Sequence, residues 1–162
     1  MTRLSFSELA PGQRFLSHRR TLTETDHQLF MMLVGDFSPI HADAEFARGT
    51  KLGQRVLHGS LGIALTLGLQ TSALEFADPF LGALGLTDWS FKAPLFIGDT
   101  VFVAVEITER QATGSGEKYV LRRKLSLLKT DNTLCQEGIA SALLGMPAAK
   151  QLAATPPSGA KT

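Results

Sequence analysis

Cysteine is all but missing from this chain: Cys135 stands alone among 162 residues, which excludes an intramolecular disulfide and points to a reducing compartment. No cysteines and histidines recur at zinc-ligand spacing, so the sequence is read as metal-free. Charge of one sign is missing too. The 16 Lys and Arg against 15 Asp and Glu leave a formal net charge of +1, which gives no general pull toward nucleic acid or an anionic membrane. Long hydrophobic runs are also lacking: the greasiest stretch, 61–74, is too short for a bilayer and carries Thr66, Gln70, Thr71 and Ser72. The opening MTRLSFSELAPG has no apolar signal core, and a cytoplasmic protein is expected.

What is present suits one globular domain. A chain of this length can bury roughly 70% of its unfolded surface without staples. Residues 1–12 read as a lead-in ending at the Pro11-Gly12 turn, and 14–23 as a first strand. Thr23 and Asp26 form a helix start, Leu29, Phe30, Leu33 and Val34 follow at helical spacing, and Gly35 is the expected left-handed stop. A short helix is expected from near Asp43. The run SLGIALTLGLQTSALE, 60–75, is apolar nearly all round, as buried helices are. Strands are expected at 84–91, 100–108, 119–129 and 133–144, with Val101, Val103, Val105 and Ile107 giving the clearest period of two. Turn-like 112–116 and 130–132 imply antiparallel neighbours. The domain is set at 1–146, and the small, proline-bearing segment 147–162 reads as a flexible tail. Together these elements define an α+β chain, an antiparallel sheet packed on a long central helix.

Two segments could carry chemistry. In Gly35-Asp36-Phe37-Ser38-Pro39-Ile40-His41 a carboxylate and an imidazole flank a proline-stiffened turn, with Ser38 placed to cap it and Pro39 at the first helical position. Such a pair can take a proton from water and deliver one to carbon, as hydration of a double bond conjugated to a thioester requires. In Leu57-His58-Gly59-Ser60-Leu61 the free N–H groups of a helix start, at Gly59 and Ser60, could hold a thioester carbonyl as it becomes enolate-like. Each segment also suits a plain structural role, Asp36 as a backbone cap, His41 as a satisfied turn residue, Gly59 as a turn and Ser60 as an N-cap. Arg122 and Lys124 share a strand face that could meet phosphates or simply face solvent, and Trp89 and Phe91 could line an acyl tunnel or simply fill core. His18 and His27 have no evident partner.

In combination the two segments, with Phe91-Lys92-Ala93-Pro94-Leu95-Phe96-Ile97-Gly98-Asp99 as a third, resemble the MaoC-like dehydratases, the family that includes the R-specific enoyl-CoA hydratases of the hotdog fold. The resemblance covers about 10–145, with three motifs in order. It implies a hotdog, a sheet wrapped around the central helix; Asp36 and His41 as the catalytic pair; the Gly59 amide as the carbonyl-binding group; and a homodimer with each site near the subunit boundary. Ser38, Pro39 and His58 are taken as loop support. Ser38 departs from the family's usual asparagine, and no hydroxyl stands at Leu67, where some members place one. The implied substrate is a 2-enoyl or (R)-3-hydroxyacyl thioester of coenzyme A or an acyl carrier protein, with no separate cofactor. Two alternatives stay open: an acyl-CoA thioesterase on the same scaffold, and a non-catalytic acyl-thioester-binding subunit.

Overall fold

A computed structural model describes residues 2–146; the 147–162 tail lies outside the described residues. The elements in chain order are β1 (Thr2–Leu4), β2 (Arg14–Leu16), β3 (Arg20–Thr21), α1 (Glu24–Val34), α2 (Pro39–Ala42), α3 (Ala44–Arg48), α4 (Gly59–Ala73), β4 (Leu74–Phe76), β5 (Phe80–Phe91), β6 (Thr100–Ala112), β7 (Lys118–Lys129) and β8 (Leu134–Gly145). The expected first strand is two short ones. β2 and β3 both pair with β6, and between them the Ser17 hydroxyl accepts from the Val103 N–H and donates to the His18 carbonyl.

The main sheet is antiparallel with order β2-β6-β7-β8-β5, and it wraps one side of α4. Alternation decides which face turns inward. Val101, Val103, Val105 and Ile107 of β6 are at most 1% exposed and meet Leu121, Leu125 and Leu127 of β7 in one core cluster with Leu61, Leu65 and Leu69 of α4. Each such leucine contributes roughly 1.5–3 kcal/mol by leaving water. The all-round burial expected of α4 is not found in the single chain. Residues four apart, Leu61, Leu65, Leu69 and Ala73, are buried, whereas Ala64, Leu67 and Gly68 on the other face are exposed.

Local signals explain the ends of α1. Thr23 and Asp26 form a reciprocal capping box, and Gly35 closes the helix with φ 70°. The amino-terminal segment is tied down by Asp78, whose carboxylate accepts from the Phe6 N–H at 2.6 Å and the buried Tyr119 hydroxyl at 2.7 Å. At the far edge of the sheet β5 runs longer than expected, with Phe80, Leu81, Leu84 and Leu86 exposed and its outer edge unpaired among the described residues.

Candidate active site

The turn after α1 is built by short-range bonds. Asp36 Oδ1 accepts from the Ser38 N–H at 3.1 Å and the Ser38 hydroxyl at 2.5 Å. Ser38 therefore does not cap α2 with its side chain as expected, although Pro39 does occupy the first helical position. These two bonds hold the Asp36 carboxyl below the usual carboxylate range, with the Ser38 hydroxyl contributing most. Asp36 is ionised at neutral pH.

One turn later His41 projects toward the segment before α4. Its Nδ1 lies 2.6 Å from the Val56 carbonyl oxygen. A carbonyl only accepts, so Nδ1 carries the proton and Nε2 of the neutral ring is left with a free lone pair. Val56 is itself fixed by a bridge to Phe96, and the Leu57 N–H donates to the Leu95 carbonyl at 2.8 Å. The third motif is thus the wall against which His58 and Gly59 are set.

His58, expected as loop support, is nearly buried and links the two halves of the site. Its Nε2 lies 3.0 Å from the Asp36 carbonyl and 3.4 Å from Asp36 Oδ2, and its ring stacks on His41 with centroids 3.7 Å apart. His27, which showed no partner in the sequence, is fully buried with its ring edge-on to both, at 5.7 Å from His58 and 6.2 Å from His41. Burial, then the nearby Arg55 charge, pull the His27 pKa down, so this ring is neutral. The three imidazoles offer nitrogens within 4.8 Å of one another, a grouping that sequence spacing did not show. They do not fit a single metal ion as arranged. The His41 and His58 planes are only 23° from parallel, so their in-plane lone pairs run side by side and do not converge.

Gly59 is the first residue of α4, and its N–H has no acceptor among the described residues. Its carbonyl accepts from Gln136 Nε2 at 3.0 Å, and Gln136 Oε1 accepts from Trp89 Nε1 at 3.2 Å. Gln136, only 2% exposed, is a site residue that sequence reasoning missed. The side chain fits against α4 because position 62 is glycine: a Cβ there would lie 2.0 Å from Gln136 Nε2. Phe91 covers Gly59 from the other side, where a Cβ would come within 2.8 Å of its ring.

His41, Gly59, Phe91, Lys92 and Gln136 line one cavity of about 420 Å³. The imidazole and the helix-start amide therefore address the same space. Asp36 is not among the lining residues, and reaches the cavity's imidazole through His58. Ser60 is exposed and lies off the cavity wall. Of the weaker candidates, Phe91 is at the site and Trp89 orients Gln136, while Arg122 and Lys124 are engaged by Glu109 and Glu137 at 2.6 and 2.8 Å.

A sheet wrapped on one helix, with an acidic turn and an imidazole brought to that helix's first amide, defines a hotdog-fold protein built around an acid-imidazole site. Residues 6–128 match the family described as MaoC like domain. The chain belongs to that family. It is 39% identical over 107 residues to an (R)-specific enoyl-CoA hydratase of Aeromonas caviae, covering 65% of this chain and 75% of that protein. It is 37% identical over 98 residues to protein MaoC of Klebsiella aerogenes, covering 60% of this chain but only 29% of that longer protein. Among solved structures, R-hydratase PhaJ1 from Pseudomonas aeruginosa superposes with a TM-score of 0.70 at 26% identity, covering 96% of this chain and 95% of that one.

Proposed function

We propose that the chain interconverts a 2-enoyl thioester and an (R)-3-hydroxyacyl thioester of coenzyme A or an acyl carrier protein. The observation that carries this reading is the shared cavity, which places a proton acceptor, His41, and a free amide donor, Gly59, on one substrate-sized space. The Gly59 N–H, at the positive end of α4, takes the thioester carbonyl and strengthens its hold as negative charge moves onto oxygen; such a donor is worth roughly 3–4 kcal/mol in the transition state. His41 Nε2 takes a proton from water as the oxygen adds to C3, and the resulting imidazolium returns a proton to C2. Asp36, ionised by its bonds to Ser38 and adjoining His58, stabilises that imidazolium from behind the cavity wall through the His58 ring stacked on His41. Atoms balance as one water added or, in reverse, removed, with no redox partner required.

The likeness to (R)-specific hydratases supports this activity over thioester hydrolysis, and the intact Asp36, His41 and Gly59 set supports a catalytic over a merely binding chain. The exposed apolar face of α4 and the apolar edge of β5, unpaired among the described residues, support a homodimer that covers both. Purified protein given a trans-2-enoyl-CoA, with conjugated-thioester absorbance and free thiol followed together, tests the reaction. Absorbance is expected to fall with no thiol released; thiol appearing at the same rate assigns a thioesterase.

A further inference from the structure

His27 has no part in the chemistry above, yet it is buried against it. It is fully enclosed on the inward face of α1, with its ring edge-on to both His41 and His58. Neither of its ring nitrogens has a hydrogen-bond partner among the described residues. An apolar side chain would fill the same space without leaving a donor and an acceptor unmet, and such groups are costly to bury. Because the ring is neutral, it offers one N–H and one lone pair. Its enclosure is complete within one chain, so no second copy is needed to account for it.

His58 supplies the complement. Its Nε2 lies 3.0 Å from the Asp36 carbonyl oxygen, which only accepts, so Nε2 carries the proton and Nδ1 a lone pair. That Nδ1 is buried and also lacks a partner among the described residues. An unmet donor and an unmet acceptor thus stand on neighbouring rings whose centroids are 5.7 Å apart. One nitrogen from each of His27, His41 and His58 lies within 4.8 Å of the other two. No direct bond joins His27 to His58, and the spacing suits a single water: two hydrogen bonds of about 2.8–2.9 Å meeting at a tetrahedral angle span roughly 4.6–4.7 Å.

We propose that His27 is a positioning residue: its N–H, through one buried water, meets His58 Nδ1 and so holds His58 in the tautomer whose Nε2–H bonds Asp36. The opposite tautomer would set a lone pair against the Asp36 carbonyl oxygen and carboxylate, 3.0 and 3.4 Å away, and push the acidic turn away from the ring stacked on His41. His27 therefore acts on the reaction through His58 and Asp36 and touches no substrate. Its effect on turnover rests on the hydratase reading, whereas the tautomer of His58 does not.

The test is NMR of the imidazole nitrogens in the full chain at pH 7, which tells a protonated ring nitrogen from a bare one, beside kcat and KM for a trans-2-enoyl-CoA. Glutamine at position 27 keeps a donor and an acceptor, and phenylalanine keeps only the bulk of a ring. His58 is expected to carry its proton on Nε2 alone in the unaltered protein and in His27→Gln, and on either nitrogen in His27→Phe. The kcat of His27→Phe should fall roughly tenfold with KM little changed, and His27→Gln should stay within about threefold of the unaltered protein. His58 protonated on Nδ1 in the unaltered protein, or on Nε2 alone in a folded His27→Phe, would overturn the proposal. So would a crystal structure of the unaltered protein in which no water lies within hydrogen-bond distance of both rings, a result that needs no variant to fold. An unaltered protein that hydrates no enoyl-CoA would count against the reaction assigned above, and the tautomer and the water would still decide the role of His27.

Discussion

Replacing Gln136 with glutamate changes one amide nitrogen to oxygen and isolates a single contact. The acceptor for Trp89 Nε1 survives, but the donor to the Gly59 carbonyl is lost and a carboxylate oxygen faces that carbonyl at a position now 3.0 Å away. Leaving a buried carbonyl without its partner costs about 1–3 kcal/mol. In a chain of 162 residues that corresponds to a Tm lowered by roughly 2–12 °C. Repulsion also pushes the first turn of α4 off Gln136, and a displacement near an ångström in a catalytic group costs on the order of 100-fold. The expected result is a folded protein whose kcat for enoyl-CoA hydration falls tenfold to a hundredfold, measured by loss of conjugated-thioester absorbance beside a thermal melt. A variant with the lowered Tm and an unchanged kcat would refute the view that Gln136 holds the Gly59 amide in place.

Gly62→Ala should go against helix propensity. Alanine gains about 1 kcal/mol over glycine inside a helix, yet its Cβ would fall 2.0 Å from Gln136 Nε2, so both Tm and kcat are expected to drop. Ser38→Ala removes the largest influence lowering the Asp36 pKa, and the acid limb of the pH-rate profile should move to higher pH; an unmoved limb would separate Asp36 from the chemistry. His27 has a folded pKa below its unfolded value near 6.5, so the unfolded chain binds the extra proton first and stability is lost as pH falls through that value. His27→Leu should flatten the decline in denaturant midpoint between pH 7 and pH 5, and an unchanged slope would show that His27 does not set it.

Much of the fold was legible where one segment states its own pattern. The β6 valines, the capping box at Thr23 and the left-handed stop at Gly35 are local signals, and all three appear where expected. Two short motifs also named His41 and Gly59, which line one cavity, whereas Asp36, expected as the partner of His41, does not line it. What stayed hidden depends on distant partners. Gln136 lies 77 residues from the carbonyl it binds, and only the facing glycine at 62 makes room for it. His27 sits on a helix whose pattern says only that this face is inward, not that two other imidazoles meet it there. The half-exposed α4 follows from composition failing to say which apolar face a single chain covers.

The kcat/KM of His41→Gln for a trans-2-enoyl-CoA bears most directly on the whole account, taken with Tm to show that the fold is kept. The imidazole is the one side chain held by its Nδ1 with its other nitrogen free beside the Gly59 cavity, and its loss should lower kcat/KM by 10²–10⁴-fold. Activity within threefold of the unaltered protein would contradict the account.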